Sequence, residues 1–133
     1  MKPLFAVVVS CLLLLTAACS TGGDVDRTFT GSLTDRTERL SADNSPFVAH
    51  RLRLREGQRV RADMNSTDFD TYMLVLLGDD TLHQNDDCPE PRGTLDSCLE
   101  FTVERSGLYT FVANSYDDTG RGSYTLRVQA TTP

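Results

Sequence analysis

The stretch Arg51-Leu52-Arg53-Leu54-Arg55-Glu56-Gly57-Gln58-Arg59-Val60-Arg61-Ala62-Asp63-Met64 decides the fold. Leu52 and Leu54 alternate with arginines before Glu56-Gly57-Gln58, and Val60, Ala62 and Met64 alternate with charged residues after it. Successive side chains of an extended chain point to opposite faces, so a period of two marks a strand with one face in a core and one in water. The stretch predicts two half-buried strands joined by a turn at Glu56-Gly57. As a simple hairpin it would place Arg51, Arg53, Arg55, Arg59 and Arg61 on one face, Arg55 opposite Arg59 and Arg53 opposite Arg61. Like charges in register destabilise a ladder unless acids or an anion neutralise them. Two readings follow: a patch for anionic headgroups or an acidic polymer, or a solvated face paired with Glu100, Glu104 or other acids.

The same period recurs downstream, where Leu99, Phe101 and Val103 alternate with Glu100, Thr102 and Glu104. Further strands are predicted over 28–33, 47–54, 71–77, 108–113 and 123–128. Residues 72–77 are apolar on both faces, as a central strand would be. Turn chemistry separates the candidates at Gly78-Asp79-Asp80, Ser106-Gly107 and 117–122. No long 3.6-residue pattern competes. The chain therefore reads as all-β, an antiparallel β-sandwich of about seven to nine short strands.

Upstream of these strands lies a different kind of segment. Lys2 precedes an apolar run over 4–15, and Thr16-Ala17-Ala18 place small residues before Cys19. This is the pattern of a secretory signal with a lipobox-like ending, and a run this short is a poor bilayer span. Residues 1–18 are expected to be a lipoprotein signal peptide, 19–27 a lipidated tether rich in small and acidic residues, and 28–130 a single domain. Ser20 after Cys19 supplies no inner-membrane retention aspartate, which favours the outer membrane. Lys2 is the only lysine of the 133 residues, so after cleavage 12 arginines face 19 acids. An acidic chain without lysine is a poor nucleic-acid binder and cannot form a lysine Schiff base.

Cysteine arithmetic follows from the same segment. Cys11 leaves with the signal and Cys19 is the acylation point, so Cys88 and Cys98 remain, in a compartment that permits disulfides. A bridge between them would close one surface loop and contribute roughly 3 kcal/mol by chain entropy. The competing reading is a metal pair with Asp86, Asp87 and Asp96 nearby, which lacks the histidine or second cysteine pair of a zinc site.

In motif order, residues 30–128 resemble the bacterial pre-peptidase C-terminal domain family. The match runs through Gly31-Ser32-Leu33, the arginine-rich stretch 51–60, Asp68-Phe69-Asp70-Thr71-Tyr72, Asn85-Asp86-Asp87, Ser106-Gly107-Leu108-Tyr109 and Gly122-Ser123-Tyr124-Thr125-Leu126. The resemblance implies a jelly-roll-like β-sandwich of the kind attached to secreted peptidases, with relatives that bind calcium or extracellular polymers and no shared catalytic residues. Here a lipid anchor is expected where the peptidase would be.

Asp68, Asp70, Asn85, Asp86 and Asp87 form the best chemical constellation, because calcium takes six to eight oxygen ligands. The alternative is that these side chains cap backbone amides in turns. His50, on the alternating strand beside Leu52 and Leu54, reads as structural, and His83 as a loop residue. No nucleophile-elbow sequence supports a hydrolase. The expected function is a non-catalytic, lipid-anchored binding or accessory module of the bacterial cell envelope. Its partners would be the membrane through its lipid, and an envelope protein, a secreted peptidase or an extracellular polymer. The alternatives are a calcium-stabilised structural module and, further off, a small hydrolase.

Overall fold

The computed structural model describes residues 23–133, so the signal segment, Cys19 and the first part of the tether lie outside the described residues. Eight strands follow: β1 Val25–Leu33, β2 Phe47–Leu54, β3 Arg59–Asn65, β4 Thr71–Leu77, β5 Asp80–Asn85, β6 Ser97–Thr102, β7 Gly107–Ser115 and β8 Gly122–Thr131. They form two four-stranded antiparallel sheets, ordered β1-β8-β3-β6 and β2-β7-β4-β5. That is the strand order of a jelly roll, in which consecutive strands mostly belong to opposite sheets. β1 begins at Val25, inside the stretch expected to be tether, because Val25 and Phe29 pack against the core.

Each strand contributes alternate side chains to one core. Val60, Ala62 and Met64 of β3 meet Leu126, Val128 and Ala130 of β8 from one sheet, and Met73, Val75, Tyr109 and Phe111 come from the other. β5 was not anticipated. Its sequence Asp80-Thr81-Leu82-His83-Gln84-Asn85 reads polar, because an edge strand has few side chains in the core and a register shift between Val75 and Leu76 interrupts its pairing with β4.

The hairpin expected at 55–58 is instead a corner between sheets. β2 pairs with β7, whereas β3 pairs with β6 and β8. Gly57 has φ of 88°, and Gln58 is buried, its Oε1 accepting the Arg55 amide at 2.7 Å and its carbonyl the Val103 amide at 2.9 Å. These bonds hold the chain at the corner, and the proposed pairing of Arg55 with Arg59 and Arg53 with Arg61 does not occur.

The sandwich has two open seams, and each is closed by a histidine stacked on a phenylalanine. At the β1–β2 seam, His50 lies on Phe29 with ring centroids 4.5 Å apart, and its Nε2 is 2.7 Å from the Tyr124 hydroxyl. A Cβ on Gly31 would stand 2.5 Å from that hydroxyl, so only glycine lets the Tyr124 ring lie across β1. At the β5–β6 seam, His83 lies on Phe101 at 4.2 Å, and Phe101 stacks in turn on Tyr109 at 6.4 Å. Tyr109 donates its hydroxyl proton to the Arg105 carbonyl at 2.7 Å. His83 is thus a seam residue within β5, not part of a loop.

Candidate binding surfaces

The acids picked out from the sequence divide into two groups. Asp68 Oδ2 accepts the Ser123 amide at 2.8 Å, and its side chain fills the space beside Gly122, where φ is +125°. Asn85 Oδ1 accepts the Cys98 amide at 3.0 Å. Both therefore act as caps on neighbouring strands, with those oxygens already committed. Asp86 and Asp87 do lie within electrostatic reach of Asp70, as does Asp117 from the β7–β8 turn, which the sequence did not single out. Burial, and then the charges of Asp87, Asp86 and Asp117, push the Asp70 carboxyl above its ordinary range. Its Oδ1 is shielded from solvent and has no hydrogen-bond partner among the described residues. Asp117 itself caps the turn, accepting the Thr119 amide at 2.9 Å and hydroxyl at 2.7 Å. Among the described residues, no group of three or more His, Cys, Asp or Glu side chains is arranged to hold a metal ion. The full five-residue set therefore does not assemble as a cage.

This repulsion has a measurable consequence. A carboxyl raised in the folded state binds its proton before the unfolded chain does, so it destabilises the fold at pH values above its folded pKa and ceases to do so as pH falls. Asp70→Asn is expected to raise the melting temperature at pH 7 by up to a few degrees, the shift that a fraction of a kcal/mol produces in a domain of this size, since solvent screens a partly exposed carboxyl. The gain should vanish near pH 3.5. A fall at pH 7 would show that the Asp70 charge is used by the fold.

Two tyrosines stand over this acidic end. Tyr72 and Tyr116 meet edge to face with centroids 6.4 Å apart, and the Tyr116 amide donates to the Asp70 carbonyl at 2.9 Å. Burial, followed by the charges of Asp86 and Asp43, raises the Tyr72 hydroxyl pKa.

The arginines separate at the corner. Arg51 and Arg53 project from the outer face of the β2-β7-β4-β5 sheet, at its β2 edge, and Arg55 lies at the corner itself. Arg59 and Arg61 project from the outer face of the other sheet, where Arg61 pairs with Asp63 at 3.0 Å and Glu100 at 2.5 Å. A single patch of five is therefore not formed. The neutralised, solvated face holds for Arg61, whereas Arg51 and Arg53 have no carboxylate within ion-pair distance among the described residues.

The two outer faces differ in kind. That of β1-β8-β3-β6 is polar along its strands, with Thr28, Thr30, Thr125, Gln129 and Thr102 between ion pairs such as Arg127–Asp26 at 2.7 Å. That of β2-β7-β4-β5 carries Ala49, Val112 and Leu74 across its centre, with Phe47 and Tyr72 above them and Leu76 and Leu108 below. Val112 is only 5% exposed, yet it lies outside the core cluster, because these outer side chains cover one another. Leu108 is 44% exposed and Tyr116 57%. The ion pairs of Arg61 with Asp63 and Glu100, Arg92 with Glu90, Arg121 with Asp35 and Arg127 with Asp26 all lie elsewhere. Its signal in the sequence was β4, apolar on both faces. β4 is indeed central, but in a two-layer sandwich centrality buries only one face.

The β5–β6 seam opens into a cleft of about 170 Å³ lined by Leu77, Leu82, His83, Phe101, Glu104 and Arg105. Near the acidic end, Cys88 and Cys98 are joined, their Cα atoms 5.2 Å apart. The loop they close is also tied at Thr71, whose amide and hydroxyl both donate to the Leu95 carbonyl at 3.0 and 2.9 Å.

No protein-family model and no curated protein sequence matches this chain. Solved structures do. Aeromonas hydrophila PliG, a periplasmic lysozyme inhibitor of g-type lysozyme, superposes with a TM-score of 0.58 at 13% identity, covering 83% of this chain and 90% of that one. The pre-peptidase C-terminal domain of collagenase from Bacillus anthracis superposes with a TM-score of 0.55 at 15% identity, covering 78% and 89%. Identities this low speak for the fold alone, and the conclusion is that this chain is a jelly-roll β-sandwich, the fold it shares with the lysozyme inhibitor and the pre-peptidase C-terminal domain.

Proposed function

We propose that this protein is a non-catalytic, lipid-anchored binding module of the bacterial cell envelope, held at the outer membrane through Cys19. The observation that carries the reading is the inequality of the two outer faces. A sandwich that saturates one face with polar side chains and ion pairs, and leaves an apolar row on the other, has a surface suited to being covered. The occupation of both imidazoles in seam stacks also favours binding over catalysis. Two solved structures of this fold are, by their names, an inhibitor of an enzyme and a domain of one. An envelope protein, a secreted peptidase or an extracellular polymer would be the thing bound.

The anchor is tested by fractionation. Cys19→Ser removes the acyl chains, and two chains are needed for stable anchoring. The protein is expected to leave the membrane fraction almost completely. Retention of the variant after a high-salt wash would refute the anchor.

A second reading, a calcium-stabilised module, is favoured by the unpartnered Asp70 Oδ1 together with the charges of Asp87, Asp86 and Asp117 that act on the same carboxyl. A cation there would relieve the repulsion, and at one hundred times its dissociation constant would stabilise the fold by about 2.7 kcal/mol. Millimolar calcium should then raise the melting temperature over chelator by several degrees, an increment erased by Asp70→Asn with Asp86→Asn. Equal melting temperatures with calcium and chelator would leave these acids as turn caps and surface charge.

A further inference from the structure

The apolar row on the outer face of the β2-β7-β4-β5 sheet lies between charges of opposite sign. At the β2 edge, Arg51 and Arg53 occupy one corner, in register with Thr110 and Leu108 of β7. At the diagonally opposite corner Asp86 follows the last residue of β5 and acts electrostatically on Tyr72. Asp79 and Asp80, on the β4–β5 turn, lie at a third corner, off that diagonal. A face with a basic corner, an apolar centre and an acidic corner is complementary to itself when turned over about an axis in its own plane, perpendicular to the diagonal.

We propose that this face is the contact between two copies of the chain, packed face to face about such a two-fold axis, Arg53 of each copy over Asp86 of the other and Leu74 and Val112 at the centre. The proposal rests on the reading of this face as the binding surface and names its occupant. Closed two-fold contacts are the commonest way identical chains associate, and they need only one self-complementary patch. Charge selects the orientation, because copies rotated to superpose like corners would set Arg53 against Arg53 and Asp86 against Asp86. The part of the apolar surface still in contact with water, Leu108 above all, is then removed from it on both copies at once. Four strands about 4.8 Å apart and about eight residues long present roughly 500 Å² of flat area, below the roughly 800 Å² per partner of a standard stable interface. The contact is therefore weak in dilute solution and is strengthened when both copies are tethered to one membrane, which raises their effective concentration.

The test is made on the full chain in its membrane. A photo-reactive benzophenone amino acid replaces Leu108, and irradiated envelopes are probed for an adduct. The expected product has twice the mass of the chain. It should be lost in Leu74→Arg, which puts a charge at the centre, and reduced about tenfold in Arg53→Glu or Asp86→Arg alone, because a two-fold contact carries each substitution twice. The combination Arg53→Glu with Asp86→Arg, which restores opposite signs, should recover it. All four variants change outer-face or turn positions, and melting temperatures no lower than the parent's establish that each is folded. A double-mass adduct indifferent to these substitutions overturns the proposal. An adduct with a different protein overturns self-association while leaving the face as a binding surface, and the absence of any adduct overturns both.

Discussion

Loss of the Cys88–Cys98 bridge is expected to lower stability by roughly 3 kcal/mol, the chain entropy that a closed loop of this length withholds from the unfolded state. For a domain of about 110 residues that is a fall in melting temperature of more than about 10 °C. The fold should survive, because the loop remains tied by Thr71 to the Leu95 carbonyl and by the Cys88 amide to the Asp96 carbonyl at 2.9 Å. Neither cysteine belongs to the core cluster. Cys88→Ala with Cys98→Ala, compared with the parent by thermal unfolding and far-ultraviolet circular dichroism, checks both halves of the statement. A parent protein that melts identically with and without reductant, or two free thiols found by mass measurement in protein taken from the envelope, would refute it.

Acid should open the sandwich at its seams. Burial holds the imidazole of His50 below its ordinary pKa of 6.5. Burial does the same to His83, against an opposing pull from Glu104. A histidine whose folded pKa is depressed is protonated first in the unfolded chain, so the unfolded state gains protons as pH falls. The stability each contributes is complete above about pH 6.5 and is lost progressively as pH falls towards the folded pKa. The charges and groups facing them are few. His50 meets Phe29 and the Tyr124 hydroxyl, whose own pKa burial pushes up to about 12, so Tyr124 stays neutral throughout. His83 meets Phe101, with Glu104 and Arg105 lining the same cleft. Asp70 works in the opposite sense at lower pH. The melting temperature should therefore fall between pH 6.5 and 5, and His50→Gln with His83→Gln should start lower at pH 7.5 but lose much less over that interval. A double variant that follows the parent's pH profile would remove the histidines as its cause.

The parity of individual strands was legible in the sequence. β2 and β4 fall on the bounds expected for them, and the inward residues of β3 and β6 are those the alternation marks. The bridge between Cys88 and Cys98 followed from the cysteine inventory. β5 was hidden because its polar sequence contributes only His83 and Asn85 to the interior side of an edge.

The all-β class and the assignment of each side chain to one face or the other are local properties, set by the period of two in an extended chain, and the sequence determined them by itself. Which strands pair is not local. Glu56-Gly57-Gln58 suits a hairpin and a corner equally, and only the burial of Gln58 and its bonds to Arg55 and Val103 select the corner. That selection sends Arg59 and Arg61 to the outer face opposite Arg51 and Arg53. Tertiary structure likewise turned Asp68 and Asn85 into caps on Ser123 and Cys98, and brought Asp117 within electrostatic reach of Asp70. It also left the outer face of β4 uncovered, because a two-layer sandwich has one interior, and a strand apolar on both sides can place only one of them inside it.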